Sequence, residues 1–279
     1  MRGFKKIPWS FWFPARLSFG LFKPKNTILG NEFAGEVEAT GKDVTVFKQS
    51  DKVFGFHLFG TNAEYISIPE KGVIAKKPDR LTDEQAAAIP FGSLAALYFL
   101  KKARIKSGEH ILINGAAGAV GSYAVQLARY FGTRVTGVCH TTQMEQVQSL
   151  GANTVIDYTQ EDFTKRDTSY DIIFDTVGVT SFSRCKKVLN ANGRYVLTVF
   201  GLWQLLQMLW TSISGNKKVI CGIAEETQED ILFIKQCIEE EYIKPVIDKT
   251  FTLAEMVEAH RYAEKGSKKG SIVITINHE

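Results

Sequence analysis

Residues 114–129, NGAAGAVGSYAVQLAR, decide the fold. They follow the apolar run HILI and leave as an amphipathic helical pattern. Gly115, Gly118 and Gly121 stand three apart, and Ala116, Ala117 and Ala119 keep the remaining positions small. Absent side chains let a backbone approach a pyrophosphate, and a helix N-terminus adds amide donors and the positive end of its dipole. A glycine triplet alone is weak evidence, but a strand before it and a helix after it make it specific. A tight turn without a ligand is the plainer alternative.

Outward from this turn, toward the C-terminus, apolar runs alternate with helical patterns. RVTGVC is followed by TQMEQVQSLG, then come TVIDY and YDIIFDTVG, then SFSRCKKVLNANG and RYVLTVFG. Strand–helix–strand repetition predicts a doubly wound parallel sheet, buried on both faces, that binds ligands at the carboxyl ends of its strands. EDILFIKQCIEEEYI and LAEMVEAHRYAEKG read as helices, KPVIDKTF and SIVITIN as strands, and the tail is expected to complete the same domain. Toward the N-terminus, NEFAGEVEATGKDV, DKVFGF, AEYISIP and GVIAKKP read as short strands of a compact β-domain, with Gly and Pro punctuation between them. The shift in texture near residue 105 divides the chain into 1–104 and 105–279.

The second strand of such a sheet reads the cofactor's ribose. A site for NAD places Asp or Glu at its end. Here VTGVCHTTQ has no acid over residues 135–143, and His140, Thr141 and Thr142 can donate to a 2′-phosphate. That favours NADPH over NADH, although the same residues also suit a helix start.

Composition narrows the classes. Of 279 residues, 44% are hydrophobic and 23% charged, which excludes disordered, collagen-like and polytopic membrane chains. The net charge of +4 is spread along the chain, with no basic stripe for nucleic acid. Cys139, Cys185, Cys221 and Cys237 form no CxxC, so neither a zinc knuckle nor a disulfide framework is expected, and reduced thiols place the protein in the cytoplasm. The five histidines, His57, His110, His140, His260 and His278, show no ligand spacing. The N-terminal aromatic stretch is broken by Pro8, Pro14 and Arg16, unlike a signal peptide. Residues 195–216 carry no charge, and Leu202, Leu205, Leu206, Leu209 and Ile213 recur at helical spacing. Gly201, Gln204 and Gln207 argue against a membrane span, and the stretch reads as a buried strand running into an amphipathic helix. That helix is expected to cover the cleft or pair subunits; attachment to a membrane through residues 202–213 is the alternative.

From Ile28 onward the chain resembles the medium-chain dehydrogenase/reductase superfamily, on its zinc-free quinone oxidoreductase (zeta-crystallin-like) branch. The resemblance rests on ILGNEFAGEVEATGKDVTVFKQSDKVFG, AAAIPFGSLAALYFL, INGAAGAVG, SLGANTVIDYTQEDF, YDIIFDTVG and IKPVIDKTF, in that order. It implies a Rossmann nucleotide-binding domain over 105–279 and a smaller, incomplete GroES-like β-domain over 1–104 forming the substrate cleft. It also implies that Ala117, Gly118, Ala119 and Val120 hold the pyrophosphate, and that Tyr158 contacts the adenosine 2′-phosphate. Val177 and Gly178 would lie beside the adenosine, and Val199 and Phe200 near the nicotinamide. Similar sequences carry Ser and often a basic residue at the positions of His140 and Thr142, so this chain departs there.

Three further departures concern activity. Zinc-dependent relatives read Gly-His-Glu where this chain reads Gly30-Asn31-Glu32, and the four-cysteine zinc loop is missing, so no metal is expected. Ala95 replaces a Thr common near the nicotinamide. The family's first β-strands, with an active-site Asn or Asp, precede the region matching Arg2. Their lack should leave open strand edges, with Trp9, Phe11, Trp12 and Phe13 flanking an incomplete cleft. A misplaced start codon and a truncated member are both compatible with this.

The resemblance implies NADPH-dependent reduction of a quinone, an α,β-unsaturated carbonyl or an aldehyde. The cofactor would carry the hydride, and the protein would align the reactants and exclude water. Two alternatives stay open: a truncated, catalytically impaired nucleotide-binding protein, and a metal-free NADP-dependent alcohol dehydrogenase. No residue is identifiable as the general acid. The family's habit of dimerising predicts a homodimer.

Overall fold

A computed structural model of the chain describes residues 27–264 and 269–276. Arg2, Trp9, Phe11, Trp12, Phe13 and His278 lie outside the described residues. Six strands build the main sheet: β4 (His110–Asn114), β5 (Arg134–Cys139), β6 (Thr154–Asp157), β7 (Tyr170–Asp175), β8 (Leu189–Leu197) and β9 (Lys218–Cys221). Their order is β6-β5-β4-β7-β8-β9 and every pairing is parallel. The chain winds outward from β4 to β6, then restarts on the other side at β7. The crevice at the carboxyl ends of β4 and β7 is therefore the topological switch point, where such sheets bind ligands.

Both faces of this sheet are buried, as the continuous apolar runs require. Ile111, Ile113, Ile172 and Phe174 enter one core with α2 (Pro90–Lys102) and α3 (Ala119–Tyr130). Their alternates Leu112 and Ile173 enter a second core with Tyr195 and Val219. A Cβ at Gly92 would collide with the Ala119 carbonyl and the Tyr123 ring, so glycine lets α2 lie close against α3.

The N-terminal sheet has three antiparallel strands: β1 (Glu32–Glu36), β2 (Lys52–Phe56) and β3 (Val73–Lys76). Its own small core is Phe47, Val53 and Ile74. AEYISIP forms no strand, because no strand among the described residues pairs with it; Ile68 still packs on that core. SFSRCKKV is reduced to the single turn α5 (Phe182–Cys185) and a 3₁₀ turn, because β8 already begins at Leu189.

The tail does not extend the main sheet. β10 (Ile247–Thr252) and β11 (Ser271–Thr275) form a separate parallel pair, with α8 (Met256–Glu264) between them in sequence. Side chains of α3 hold the tail in place. Gln126 donates to Lys244 O (3.2 Å) and accepts from Lys244 N (2.7 Å). The Tyr123 hydroxyl donates to Ala88 O (2.9 Å) and accepts from Val246 N (3.4 Å). β11 consequently lies against α1 (Asp83–Ala87) and lines, with β1 and residues 61–68, an open cavity of about 1180 Å³.

Helix α6 (Leu202–Ile213) forms where the periodicity places it, and its two sides divide unequally between core and surface. Leu205 and Met208 pack on the second core, and Thr211 accepts from Val219 N (3.0 Å). Leu202, Leu206, Leu209 and Ile213 instead face outward. The polar Thr211 fixes the orientation, because its hydroxyl satisfies a backbone N–H of β9.

Candidate cofactor-binding site

β4 ends at Asn114 and the chain turns sharply at Gly115, whose φ is +82°. Gly115 N and Ala116 N both donate to Val138 O (3.0 Å each), tying the turn to β5. A Cβ at Gly115 would strike the Val177 side chain, and one at Gly121 would strike the Gly115 carbonyl. At Gly118 an added Cβ would meet only Gly115 O, at 3.3 Å, a tight contact but far milder than that at Gly121. Gly118 is also the N-cap of α3, and no side chain caps that helix end. The first-turn amides, over Ala119 and Val120, are left for an external acceptor. The residues present thus fit a pyrophosphate: backbone donors, no intervening side chain, and a dipole of the correct sign.

Beside the turn lies a buried carboxylate that the sequence reading missed. Asp175, fully buried at the end of β7, accepts Asn114 Nδ2 (3.0 Å), Val177 N (3.1 Å) and Gly178 N (2.9 Å) at Oδ1. Its Oδ2 accepts the Tyr195 hydroxyl (3.1 Å) and Thr180 N (3.3 Å). Burial, reinforced by this carboxylate, pushes the Tyr195 phenol far above its ordinary pKa, so it stays a donor. Thr176 Oγ1 adds a bond to Asn114 O (2.8 Å). One carboxylate therefore shapes the loop that carries Val177 and Gly178. An Asp closing a buried strand and followed by Thr-Val-Gly was the available signal.

The same loop meets the end of β8. Gly178 has φ +77°, and a Cβ there would lie 2.9 Å from Val199 Cβ. Val177 and Val199 are each about half exposed on this rim (48% and 55%), while Phe200 packs against the second core. Ala95 is buried within α2.

The opposite rim follows β5 and β6. His140 is the N-cap of a 3₁₀ turn, its Nδ1 accepting from Thr142 N (3.3 Å). Its ring stands 5.9 Å from that of Tyr158, which is 59% exposed. The Thr141 hydroxyl donates to Asp157 Oδ2, and Asp157 Oδ1 accepts Thr159 N (2.9 Å) and Thr159 Oγ1 (2.8 Å). The Thr141 bond, followed by those from Thr159, holds the Asp157 carboxyl below its usual range. An acid thus reaches this rim from the neighbouring strand, but both its oxygens are engaged by Thr141 and Thr159. It takes the single proton of Thr141; Thr142 Oγ1 in turn lies 3.2 Å from His140 Nδ1, and Tyr158 stays exposed on this rim.

Gly30-Asn31-Glu32 serves architecture. Asn31 O accepts His57 N (2.9 Å), and Glu32 Oε1 accepts Phe91 N (2.8 Å) in the first turn of α2. A carboxylate from the β-domain thereby meets the positive end of the helix that packs on α3. Among the described residues no group of three or more His, Cys, Asp or Glu side chains could hold a metal ion. All four cysteines are buried, and burial pushes the thiols of Cys139 and Cys185 up to about 11 and that of Cys237 to about 12. They are protonated at neutral pH, the wrong state for a nucleophile.

A doubly wound sheet with a glycine turn, an uncapped helix and paired rims at its switch point defines a dinucleotide-binding architecture. Comparison with known proteins agrees. Residues 15–79 match the alcohol dehydrogenase GroES-like domain, and residues 150–274 match the zinc-binding dehydrogenase family. The 2-methylene-furan-3-one reductase of Solanum lycopersicum is 33% identical over 264 residues, covering 90% of this chain and 64% of that protein. A chloroplastic quinone-oxidoreductase of Triphysaria versicolor is 32% identical over 261 residues, covering 88% and 79%. The solved quinone oxidoreductase of Coxiella burnetii superposes with a TM-score of 0.81 at 28% identity, covering 95% of this chain and 83% of that one. The chain belongs to the medium-chain dehydrogenase/reductase superfamily, on its quinone oxidoreductase branch. It spans 64% of the length of the tomato reductase and of the Arabidopsis thaliana NADPH-dependent alkenal/one oxidoreductase.

Proposed function

We propose that the chain is a metal-independent oxidoreductase that transfers hydride from NADPH to a quinone or an α,β-unsaturated carbonyl. The observation that carries this reading is the uncapped N-terminus of α3 at Gly118, in a chain whose relatives include proteins named quinone and alkenal/one oxidoreductases. When bound, the cofactor supplies the hydride. The chain's own residues bind and orient: Gly115, Ala117, Gly118, Ala119, Val120 and Gly121 form the pyrophosphate cradle. Val177 and Gly178, held by Asp175, flank the adenosine, and Val199, backed by Phe200 on the second core, borders the nicotinamide half. His140, Thr142 and Tyr158 border the 2′-position, and Thr141 braces that rim through Asp157.

The division into a β-domain over 1–104 and a nucleotide-binding domain over 105–279 belongs to the same proposal, as do a homodimer and a cytosolic location. The buried, protonated thiols support the location. Among the described residues no helix is long and apolar enough to cross a membrane. The deciding experiment follows NADPH absorbance with a quinone, then an enone, and NADH in parallel. Rapid loss of NADPH and slow loss of NADH is the expected result. Cofactor binding, read by fluorescence, without turnover of either substrate would instead establish a nucleotide-binding protein that does not catalyse.

A further inference from the structure

Helix α6 turns its most apolar side away from the protein. Trp203 (66% exposed), Trp210 (68%) and Ile213 (88%) stand with Leu202, Leu206 and Leu209 on one outward face, while Leu205 and Met208 supply the inward packing. Single exposed apolar residues are ordinary on a protein surface; six on one short helix, two of them tryptophans, mark a docking face. At twelve residues, or roughly 18 Å, the helix is too short to span a bilayer.

The surroundings of the face say what covers it. Residues 176–224 contain no Asp or Glu, yet they include Lys186, Lys187, Lys217 and Lys218. The fold gathers these four at the C-terminal end of α6. Lys218 Nζ donates to Thr211 O (2.6 Å) and Ser212 O (3.2 Å), and Lys217 Nζ donates to Lys186 O and Leu189 O (2.6 Å each). Lys186 and Lys187 are exposed, and none of the four makes an ion pair with the described residues. An apolar helix face with tryptophans and an unneutralised lysine cluster at its end is complementary to an interface of acyl chains and anionic headgroups. A second copy meeting this face with its own would bring the same acid-free stretch and leave the lysines without counter-charges.

The geometry points to α6 as a membrane-surface docking helix. Trp203, Leu206, Trp210 and Ile213 enter the headgroup–acyl boundary of a bilayer containing anionic phospholipid, and the four lysines contact its headgroups. This would seat the carboxyl end of β8, from which α6 departs, near the lipid.

Flotation of the full chain with vesicles tests it. Vesicles of phosphatidylcholine mixed with phosphatidylserine should carry the protein, and vesicles of phosphatidylcholine alone should carry much less. Trp203→Asp combined with Trp210→Asp should lower partitioning at least about tenfold. Lys186→Glu combined with Lys187→Glu should do the same. Both variants should keep the parent's circular dichroism and NADPH binding. The inference is overturned if the parent does not float, if the tryptophan variant floats like the parent, or if both vesicle types carry the protein equally. It is also overturned if the lipid-free parent is a dimer that the tryptophan variant splits, because a second copy then covers the face.

Discussion

The nucleotide-binding half and the β-domain half solve the same folding problem differently. Around β4 and β7 nearly every side chain is buried, and Asp175, the one fully buried carboxylate among the described residues, has five donors. Around β1 to β3 the private core is three residues, and an open cavity of about 1180 Å³ separates β1 from β11. The first half is densely packed, and its main core takes in Phe54, Phe56 and Ala75 of the β-domain as well as α2. The second leans on its neighbours, through Glu32 on α2 and through a tail that α3 fastens. Cofactor binding should therefore be sensitive to small changes in packing, whereas the substrate side should respond to how the halves are joined.

The largest test of that contrast compares two glycines three residues apart in the turn, Gly121 and Gly118. Gly121→Ala drives a methyl into the Gly115 carbonyl, a backbone atom that cannot step aside. Destabilisation of about 2–4 kcal/mol and loss of NADPH binding are expected, read by thermal melting and fluorescence titration. Gly118→Ala meets only one atom at 3.3 Å. It requires the Gly115 carbonyl to give by a few tenths of an ångström, so it should lower the melting temperature much less than Gly121→Ala yet bind NADPH about tenfold more weakly. Equal melting temperatures for both variants would show that the turn is not packed as described.

Asp175→Asn comes next. An amide cannot accept at both positions, so at least one of the buried donors loses its partner, at a cost of about 1–3 kcal/mol. Cofactor affinity should fall with the melting temperature, while Tyr195→Phe, which removes one donor, should cost about 1 kcal/mol. On the β-domain side, Glu32→Gln keeps an acceptor for Phe91 N but loses the charge at the α2 N-terminus. A loss of about 0.5–1 kcal/mol is expected, with turnover reduced more than NADPH affinity.

The smallest effect is a pH dependence. In the native protein the Cys139 and Cys185 thiols ionise near 11 rather than 9.0, because burial disfavours thiolate. The unfolded chain releases these protons first as pH rises. Stability is thus fully present below pH 9.0 and lost progressively toward 11, which urea titrations at rising pH would follow. At pH 8 the native thiols should scarcely react with a disulfide reagent, and all four should react after denaturation.

Period and punctuation made the cofactor half readable. HILI, the glycine triplet and YAVQLAR each specify a local state, and those states fit one another. What escaped was set by distant partners. AEYISIP alternates like a strand, but alternation provides no neighbouring ladder. The apolar periodicity of α6 gave the helix but not which side faces the core; that was set by Leu205, Met208 and the Thr211 bond to Val219 N. Asp157 reaches Thr141 from the adjacent strand, so scanning one segment for an acid could not find it. Asp175 stood inside a quoted motif, yet its role depends on Asn114 and Tyr195, far off in sequence.

Helix α3 has two ends of business along one rod. Its first turn offers amides to the cofactor site, and one and two turns later Tyr123 and Gln126 clasp Val246 and Lys244. The wall that β11 contributes to the cavity beside β1 is thereby moored to the same rigid element that would receive the pyrophosphate. Loosening at either place is felt at the other, so the vacant cofactor site and a slack cavity wall should be one thermodynamic state, and hydrogen exchange in β10 and β11 should slow when NADPH binds.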